Sequence, residues 1–227
     1  MICGNDVGIE NLPRIAASLN YDAAMRRISL VLFDMHDVLC RYDRDFRIAE
    51  LAALSRRPES EIYNKIWASG FEAESDSGGL DACAYLAGFG ERLGYPITLQ
   101  EWLDNRKAAT TPMPETLAIM AELRCDTAVL TNNHTLVRDH LADLFPELFA
   151  LCGAKSYVSA QFGAAKPDPA VYRKCVAAAG ATPAETLFID DSAANVDGAI
   201  KAGLAGHVFT GAAALRAALA GYGLITP

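Results

Sequence analysis

Three apolar runs in this 227-residue chain end in residues that can do chemistry. Ile28 to Phe33 runs into Asp34, with His36 and Asp37 just behind it. Thr127 to Leu130 runs into Thr131, Asn132 and Asn133, and Thr186 to Ile189 runs into Asp190 and Asp191. A lysine, Lys166, stands in the loop from Gln161 to Asp168. A carboxylate at the carboxyl end of a buried strand is costly to desolvate. Asp34 therefore reads as a nucleophile or a metal ligand, and the plain alternative is a loop Asp that caps a turn. If the runs are strands of one parallel sheet, their carboxyl ends share one edge. A nucleophile, a hydroxyl, an ammonium and a carboxylate pair then meet in one crevice.

Each part has a physical task there. Asp34, Asp190 and Asp191 repel one another unless a cation lies among them, and oxygen ligands without clustered His or Cys suit Mg²⁺ rather than zinc. Lys166 can compensate the charge of the nucleophile and hold a phosphoryl oxygen. Thr131, with the backbone N–H groups of the following turn, can donate to the other phosphoryl oxygens. Asp34 can then attack phosphorus and form an aspartyl-phosphate, which splits hydrolysis into two steps.

These residues need a sheet behind them, and the pattern predicts one. From Pro112 onward strands alternate with helices: Pro114–Arg124 as helix, Thr127–Leu130 as strand, Leu136–Leu144 as helix and Leu148–Cys152 as strand. Pro169–Ala179, Ala193–Ala202 and Ala212–Ala220 follow as helices, with strands at Thr186–Ile189 and His207–Phe209 between them. This alternation predicts an α/β fold, a Rossmann-like parallel sheet with right-handed crossovers. Between the first strand and these units the sheet pattern stops. Phe46–Arg56, Pro58–Ser69, Leu80–Leu93 and Thr98–Ala109 read as helices, the last opened by a Thr98 to Glu101 capping box. The reading is an inserted helical bundle, a cap over residues 41–111, on a core formed by 28–40 and 112–227. Residues 1–27 form a leading extension with helical spacing at Leu12, Ile15 and Leu19. The Gly, Ser and acid-rich segment Glu72–Gly79 reads as a solvated connector, the alternative being a mobile loop that faces a cleft.

Composition bounds the rest. A net charge of −8 gives no basic footprint for nucleic acid or anionic lipid, so an anionic substrate needs a local cation. The six cysteines form no CxxC pair, there is no signal-like leader, and no apolar run reaches membrane-spanning length, so a cytoplasmic protein is expected. Monomer and homodimer both stay open. Among the remaining residues, His134 reads as a helix-start side chain facing solvent, and His140 and His207 as surface or satisfied polar groups. Arg41, Arg44 and Arg47 read as a solvated helix face, Trp67, Phe71 and Trp102 as cap core, and Tyr172 as packing or a bond that orients the lysine loop.

The stretches Phe33–Leu39 (FDMHDVL), Val129–Asn133 (VLTNN), Lys166–Tyr172 (KPDPAVY) and Phe188–Asn195 (FIDDSAAN) resemble the four ordered motifs of the haloacid dehalogenase (HAD) superfamily. The helical insertion falls where that family carries a helical cap, and the sequence is most similar to small sugar-phosphate phosphatases related to glucose-1-phosphate phosphatase. The resemblance implies Asp34 as nucleophile and Thr131 and Asn132 on phosphate. It implies Lys166 as charge compensator, and Asp34, the His36 carbonyl, Asp190 and Asp191 around Mg²⁺. The implied activity is hydrolysis of a small phosphorylated metabolite. One departure stands out: the common loop reads Asp-x-Asp-Gly, its second Asp moving protons, and here His36 and Asp37 hold those places. His36 either takes over as acid and base or contributes only its carbonyl, with Asp37 or bulk water moving the protons. Two rival readings are a metal-free 2-haloacid dehalogenase using the same Asp and a non-catalytic binding module of the same fold.

Overall fold

The computed structural model describes residues 27–226, so the leading extension with its helical spacing and Cys3 lie outside the described residues. A five-stranded parallel sheet runs in the order β5-β4-β1-β6-β7, with β1 Leu30–Phe33, β4 Asp126–Thr131, β5 Ser156–Val158, β6 Thr186–Asp190 and β7 Ala205–Val208. β1 is central, and all four of its residues are buried. The period-two alternation of strands splits it between two apolar layers. Val31 and Phe33, with Val129 and Ile189, face one layer, and Leu30 and Leu32, with Leu130 and Phe188, face the other.

Helices cover both faces. α10 Pro169–Ala178 and α11 Ala193–Lys201 pack on the second layer through Val171, Tyr172, Cys175 and Ala199. α6 Pro114–Glu122, α7 Thr135–Asp139, α8 Leu141–Leu144, α9 Pro146–Cys152 and α12 Ala212–Gly221 pack on the first. The chain proceeds from β1 to β4 and β5 on one side and then to β6 and β7 on the other. The direction of winding thus reverses beside β1, where Asp34 leaves the sheet. Reversal points of this kind leave a crevice at the carboxyl ends of the strands.

The insertion leaves through β2 Cys40–Tyr42 and returns through β3 Thr110–Pro112, an antiparallel ribbon pairing Cys40 with Pro112 and Tyr42 with Thr110. Between them lie α1 Arg44–Ser55, α2 Glu59–Ile66, α3 Phe71–Asp76, α4 Ala82–Leu93 and α5 Leu99–Ala108. The Thr98 to Glu101 capping box forms as its sequence demands. The apolar side chains of the insertion, Leu51, Ile62, Phe89 and Trp102 among them, join the first layer of the sheet in one continuous cluster.

The structure corrects several sequence readings. Leu148–Cys152 is not a strand: Pro146 opens a helix there, and Leu148 and Cys152 point inward one turn apart, while the strand follows at Ser156–Val158. A five-residue apolar run fits either period, and the proline decides. Glu72–Gly79 is mostly helix α3, since Phe71 and Ser75 sit four residues apart on one buried face. Arg47 is not on a solvated face but wholly enclosed, bonded to Asn105 Oδ1 and the Tyr42 hydroxyl. His134 is buried too, accepting from the Leu136 N–H through Nδ1 and stacked on Tyr85. His207 is half-buried with Nε2 enclosed and unpartnered among the described residues.

Gly198 on α11 lies against the carbonyl of Pro167, the residue after Lys166, and a Cβ there would collide with that backbone oxygen. Gly198→Ala is therefore expected to cost about 1–3 kcal/mol, the usual range for overpacking, and to move the lysine loop. Urea unfolding beside a kcat measurement checks both effects.

Candidate active site

The sheet edge brings the chemistry-bearing residues together. Asp34 follows β1 and Thr131 ends β4. Asp190 ends β6, Asp191 comes next, and the loop before α10 lays Lys166 across the gap. Lys166 Nζ lies 2.7 Å from Asp34 Oδ1 and 2.7 Å from Asp190 Oδ2. All three residues are buried, at 6%, 7% and 0% exposure for Lys166, Asp34 and Asp190. Burial alone would discharge the lysine, but the two carboxylates overcome it and raise its pKa.

Asp34 feels the opposite balance. Burial lifts its carboxyl to about 6 against the pull of Lys166, and Asp190 adds to the rise. Asp191, closer to solvent, is raised by burial and by Asp190 and Asp37. One ammonium therefore undercompensates this edge. Carboxylate oxygens of Asp34, Asp190 and Asp191 lie within 4.8 Å of one another. Closely set oxygen donors with excess negative charge fit a hard divalent cation such as Mg²⁺. Asp190 is the most occupied donor: it accepts from Lys166 Nζ, the Ser192 N–H and Asn195 Nδ2. Asp34 and Asp191 are the freer ligands.

Local hydrogen bonds hold the frame. The Asn132 side chain clamps the lysine loop, donating to the Lys166 carbonyl at 2.9 Å and accepting from its N–H at 2.8 Å. One Nδ2 proton of Asn132 is left for the cleft that this residue lines. Thr131 Oγ1 accepts from Asn133 Nδ2 at 2.8 Å, which leaves its own proton to donate. Tyr172 donates to the Asn195 carbonyl at 2.6 Å, so this buried phenol secures the turn that holds Asp190, one step from the lysine loop.

His36 sits at the mouth of the site. Its ring stacks on Tyr42 at 4.5 Å, and Nε2 is enclosed without a partner among the described residues. Burial and the positive charges of Arg106, Lys166 and Arg47 hold the ring well below its ordinary pKa, so it rests neutral.

Above this edge opens a cleft of about 360 Å³. His36, Asp37, Asn132 and Asn133 line its floor, while Tyr42, Arg44, Trp67, Glu72, Asp76 and Arg106 line its walls. Trp67 is half-buried here and faces the cleft, unlike Phe71 and Trp102, which are core. Arg106 donates to Asn133 Oδ1, and Tyr85 fixes Glu72 by donating to Oε1 at 2.8 Å. The sequence reading missed Glu72, Asp76 and Arg106. Their signal was present: Glu72 and Asp76 share one face at i, i+4, and Arg106 repeats the inward Trp102 one turn on.

Solved structures share this architecture. A HAD-like family hydrolase from Porphyromonas gingivalis is 24% identical with a TM-score of 0.70, over 85% of this chain and 98% of that one. A HAD family enzyme from Bacteroides thetaiotaomicron, in complex with magnesium and inorganic phosphate, is 22% identical with a TM-score of 0.68, over 80% and 93%. The L-2-haloacid dehalogenase of Xanthobacter autotrophicus is 22% identical with a TM-score of 0.52, over 88% and 85%. Residues 28–203 match the family model of the haloacid dehalogenase-like hydrolases. With that match over most of its length and the same fold at its core, the chain belongs to the haloacid dehalogenase-like hydrolases.

Proposed function

We propose that this hydrolase is a phosphomonoesterase that cleaves a small phosphorylated metabolite, a sugar phosphate in the first instance, through an aspartyl-phosphate on Asp34. The observation that carries the reading is the buried Lys166 between Asp34 and Asp190, beside a third carboxylate that no protein cation neutralises among the described residues. Such an edge is costly unless a divalent cation completes it, and that cation would in turn give an anionic substrate its counter-charge. The complex of the Bacteroides enzyme with magnesium and phosphate supports the same chemistry.

In this mechanism an Asp34 carboxylate oxygen attacks phosphorus in line with the leaving oxygen, and water later attacks the phosphoenzyme. Lys166 holds Asp34 in place and draws charge from a phosphoryl oxygen. The Thr131 hydroxyl donates to another, and Asn132 keeps Lys166 in register. Asp34, the His36 carbonyl and Asp191 would hold Mg²⁺, with Asp190 behind them. The metal supplies charge neutralisation at the phosphoryl group. The helical insertion acts as a cap that shields the reacting atoms from bulk water. The carboxylate cluster weighs against a metal-free dehalogenase, and the ordered buried triad against a binding module. The free thiols of Cys40, Cys83, Cys125, Cys152 and Cys175 support a reducing, cytoplasmic setting.

Asp34→Asn should abolish turnover with the fold intact, because the amide keeps the shape of the carboxylate and loses its nucleophilicity. Wild-type rates for the purified variant on a panel of hexose phosphates would refute the mechanism. Lys166→Met should abolish turnover and also cost about 3–5 kcal/mol, since it strands two buried carboxylates; urea unfolding measures the second effect. Activity should vanish in EDTA and return with Mg²⁺. Asp191→Ala should weaken Mg²⁺ binding in calorimetric titration without lowering the melting temperature by more than a few degrees.

A further inference from the structure

Departure of an alkoxide from phosphorus needs a proton, and the groups that hold and attack the phosphoryl group are not placed to give one. Lys166 is locked between two carboxylates, Asp190 accepts at both oxygens, and Glu72 Oε1 is taken by Tyr85. The His36 ring lies flat on Tyr42 with Nε2 enclosed. Two cleft carboxyls remain: Asp37, exposed on the loop after β1, and Asp76, which is half-buried. Asp76 is the better shielded of the two; it is the last residue of α3 and lines the same cleft as His36 and Asn132.

Two contacts fix its position against the sheet edge. Ser159 Oγ donates to the Asp76 carbonyl at 2.6 Å and accepts from the Asn133 N–H at 3.1 Å. One hydroxyl thus joins the end of α3 to the turn after Thr131. Two residues on, Gly78 at φ +81° lies so near the Ala160 carbonyl that a Cβ would collide with it. Both contacts use the main chain. The Asp76 carboxyl makes no hydrogen bond to a described residue and is left for the cleft.

We propose that Asp76 is a further catalytic residue, the acid that protonates the leaving-group oxygen and then the base that accepts the proton of the attacking water. The proposal rests on the phosphomonoesterase reading. In the first step the Asp34 oxygen bonds to phosphorus, the bond from phosphorus to the ester oxygen breaks, and the Asp76 proton passes to that oxygen. The products are a free alcohol, a phosphoaspartyl group and an Asp76 carboxylate. In the second, water attacks phosphorus and its proton passes to Asp76. The bond from Asp34 to phosphorus breaks, which releases inorganic phosphate and restores both acids. Charge around Asp76 suits the task. Burial and the neighbouring Glu72 lift its carboxyl to about 7, against Arg106 and Arg47, so it can give and take a proton near neutrality. Arg44 on α1 and His36 and Asp37 on the loop after β1 line the same cleft.

The test compares wild type and Asp76→Asn on the hexose phosphate the wild type turns over best and on p-nitrophenyl phosphate, whose leaving group needs little protonation. Rapid quench isolates phosphoenzyme formation, and circular dichroism confirms folding, which the main-chain anchors favour. The expected result is a loss of about 10²-fold or more in the first-step rate on the hexose phosphate, in the range for general acid catalysis, and less than about tenfold on the aryl ester. On the hexose phosphate, Glu72→Gln should move the alkaline fall of kcat to lower pH, because it removes the negative charge that raises Asp76. A purely structural or binding role would change KM or both substrates alike and leave that limb in place. Equal losses on the two substrates, or an unmoved limb, overturn the proposal. So does a leaving-group-selective loss found in Asp37→Asn or His36→Ala but not in Asp76→Asn. If the wild type hydrolyses neither ester with Mg²⁺ present, it is the phosphomonoesterase reading that fails.

Discussion

Lys166 between Asp34 and Asp190 is the constraint on which the rest of the molecule depends. An ammonium and two carboxylates with almost no access to water are stable only if each is held at contact distance, because desolvation of any one of them exceeds what a loose pairing returns. The neighbouring structure supplies that precision. Asn132 binds both polar backbone atoms of Lys166, and Ser192 and Asn195 occupy the remaining lone pairs of Asp190. Tyr172 ties Asn195 back to α10, and Gly198 leaves room for Pro167. Much of the second apolar layer, from Tyr172 to Phe188, thus stands behind one lysine.

The insertion contains its own buried cation. Arg47 lies within 5.6 Å of the ring centroids of Trp67, Phe89 and Trp102, and hydrogen bonds from Nε and Nη1 tie it to Asn105 and Tyr42. Delocalised charge over aromatic faces is less costly to bury than a compact ammonium, which explains why an arginine rather than a lysine fills this place. Tyr42 joins this cluster to the site, since one face stacks on His36 while its hydroxyl takes the Arg47 proton donor. The packing of the roof and the shape of the floor are therefore not independent.

What could be read in the sequence follows from which signals are local. Asp34, Thr131 and Asp190 were legible because each ends a strand whose apolar run marks it, and parallel strands bring their ends to one edge. The family of the chain followed from four such stretches in order. The helix at Leu148–Cys152 was misread because five apolar residues fit two periods. His134 and Arg47 were misplaced because their burial depends on partners far along the chain, Leu80 and Tyr85 for one, Asn105 for the other. The walls of the cleft were hidden for the same reason. Glu72 and Asp76 look like solvated acids until α3 is seen to dock beside Ser159.

The two-stranded ribbon of β2 and β3 has a consequence for how such a protein can diversify. The insertion leaves and returns through residues that are hydrogen-bonded neighbours, so to the five-stranded sheet everything between Tyr42 and Thr110 is a loop whose ends already meet. Closing such a loop costs little more when it is long than when it is short. Its solvent-facing residues can change without altering the strand order or the placement of Lys166, whereas Leu51, Ile62, Phe89 and Trp102, which share the apolar cluster of the first layer, stay tied to the sheet. The residues that line the cleft from above can thus vary while the carboxylate edge below keeps the contacts that hold Lys166.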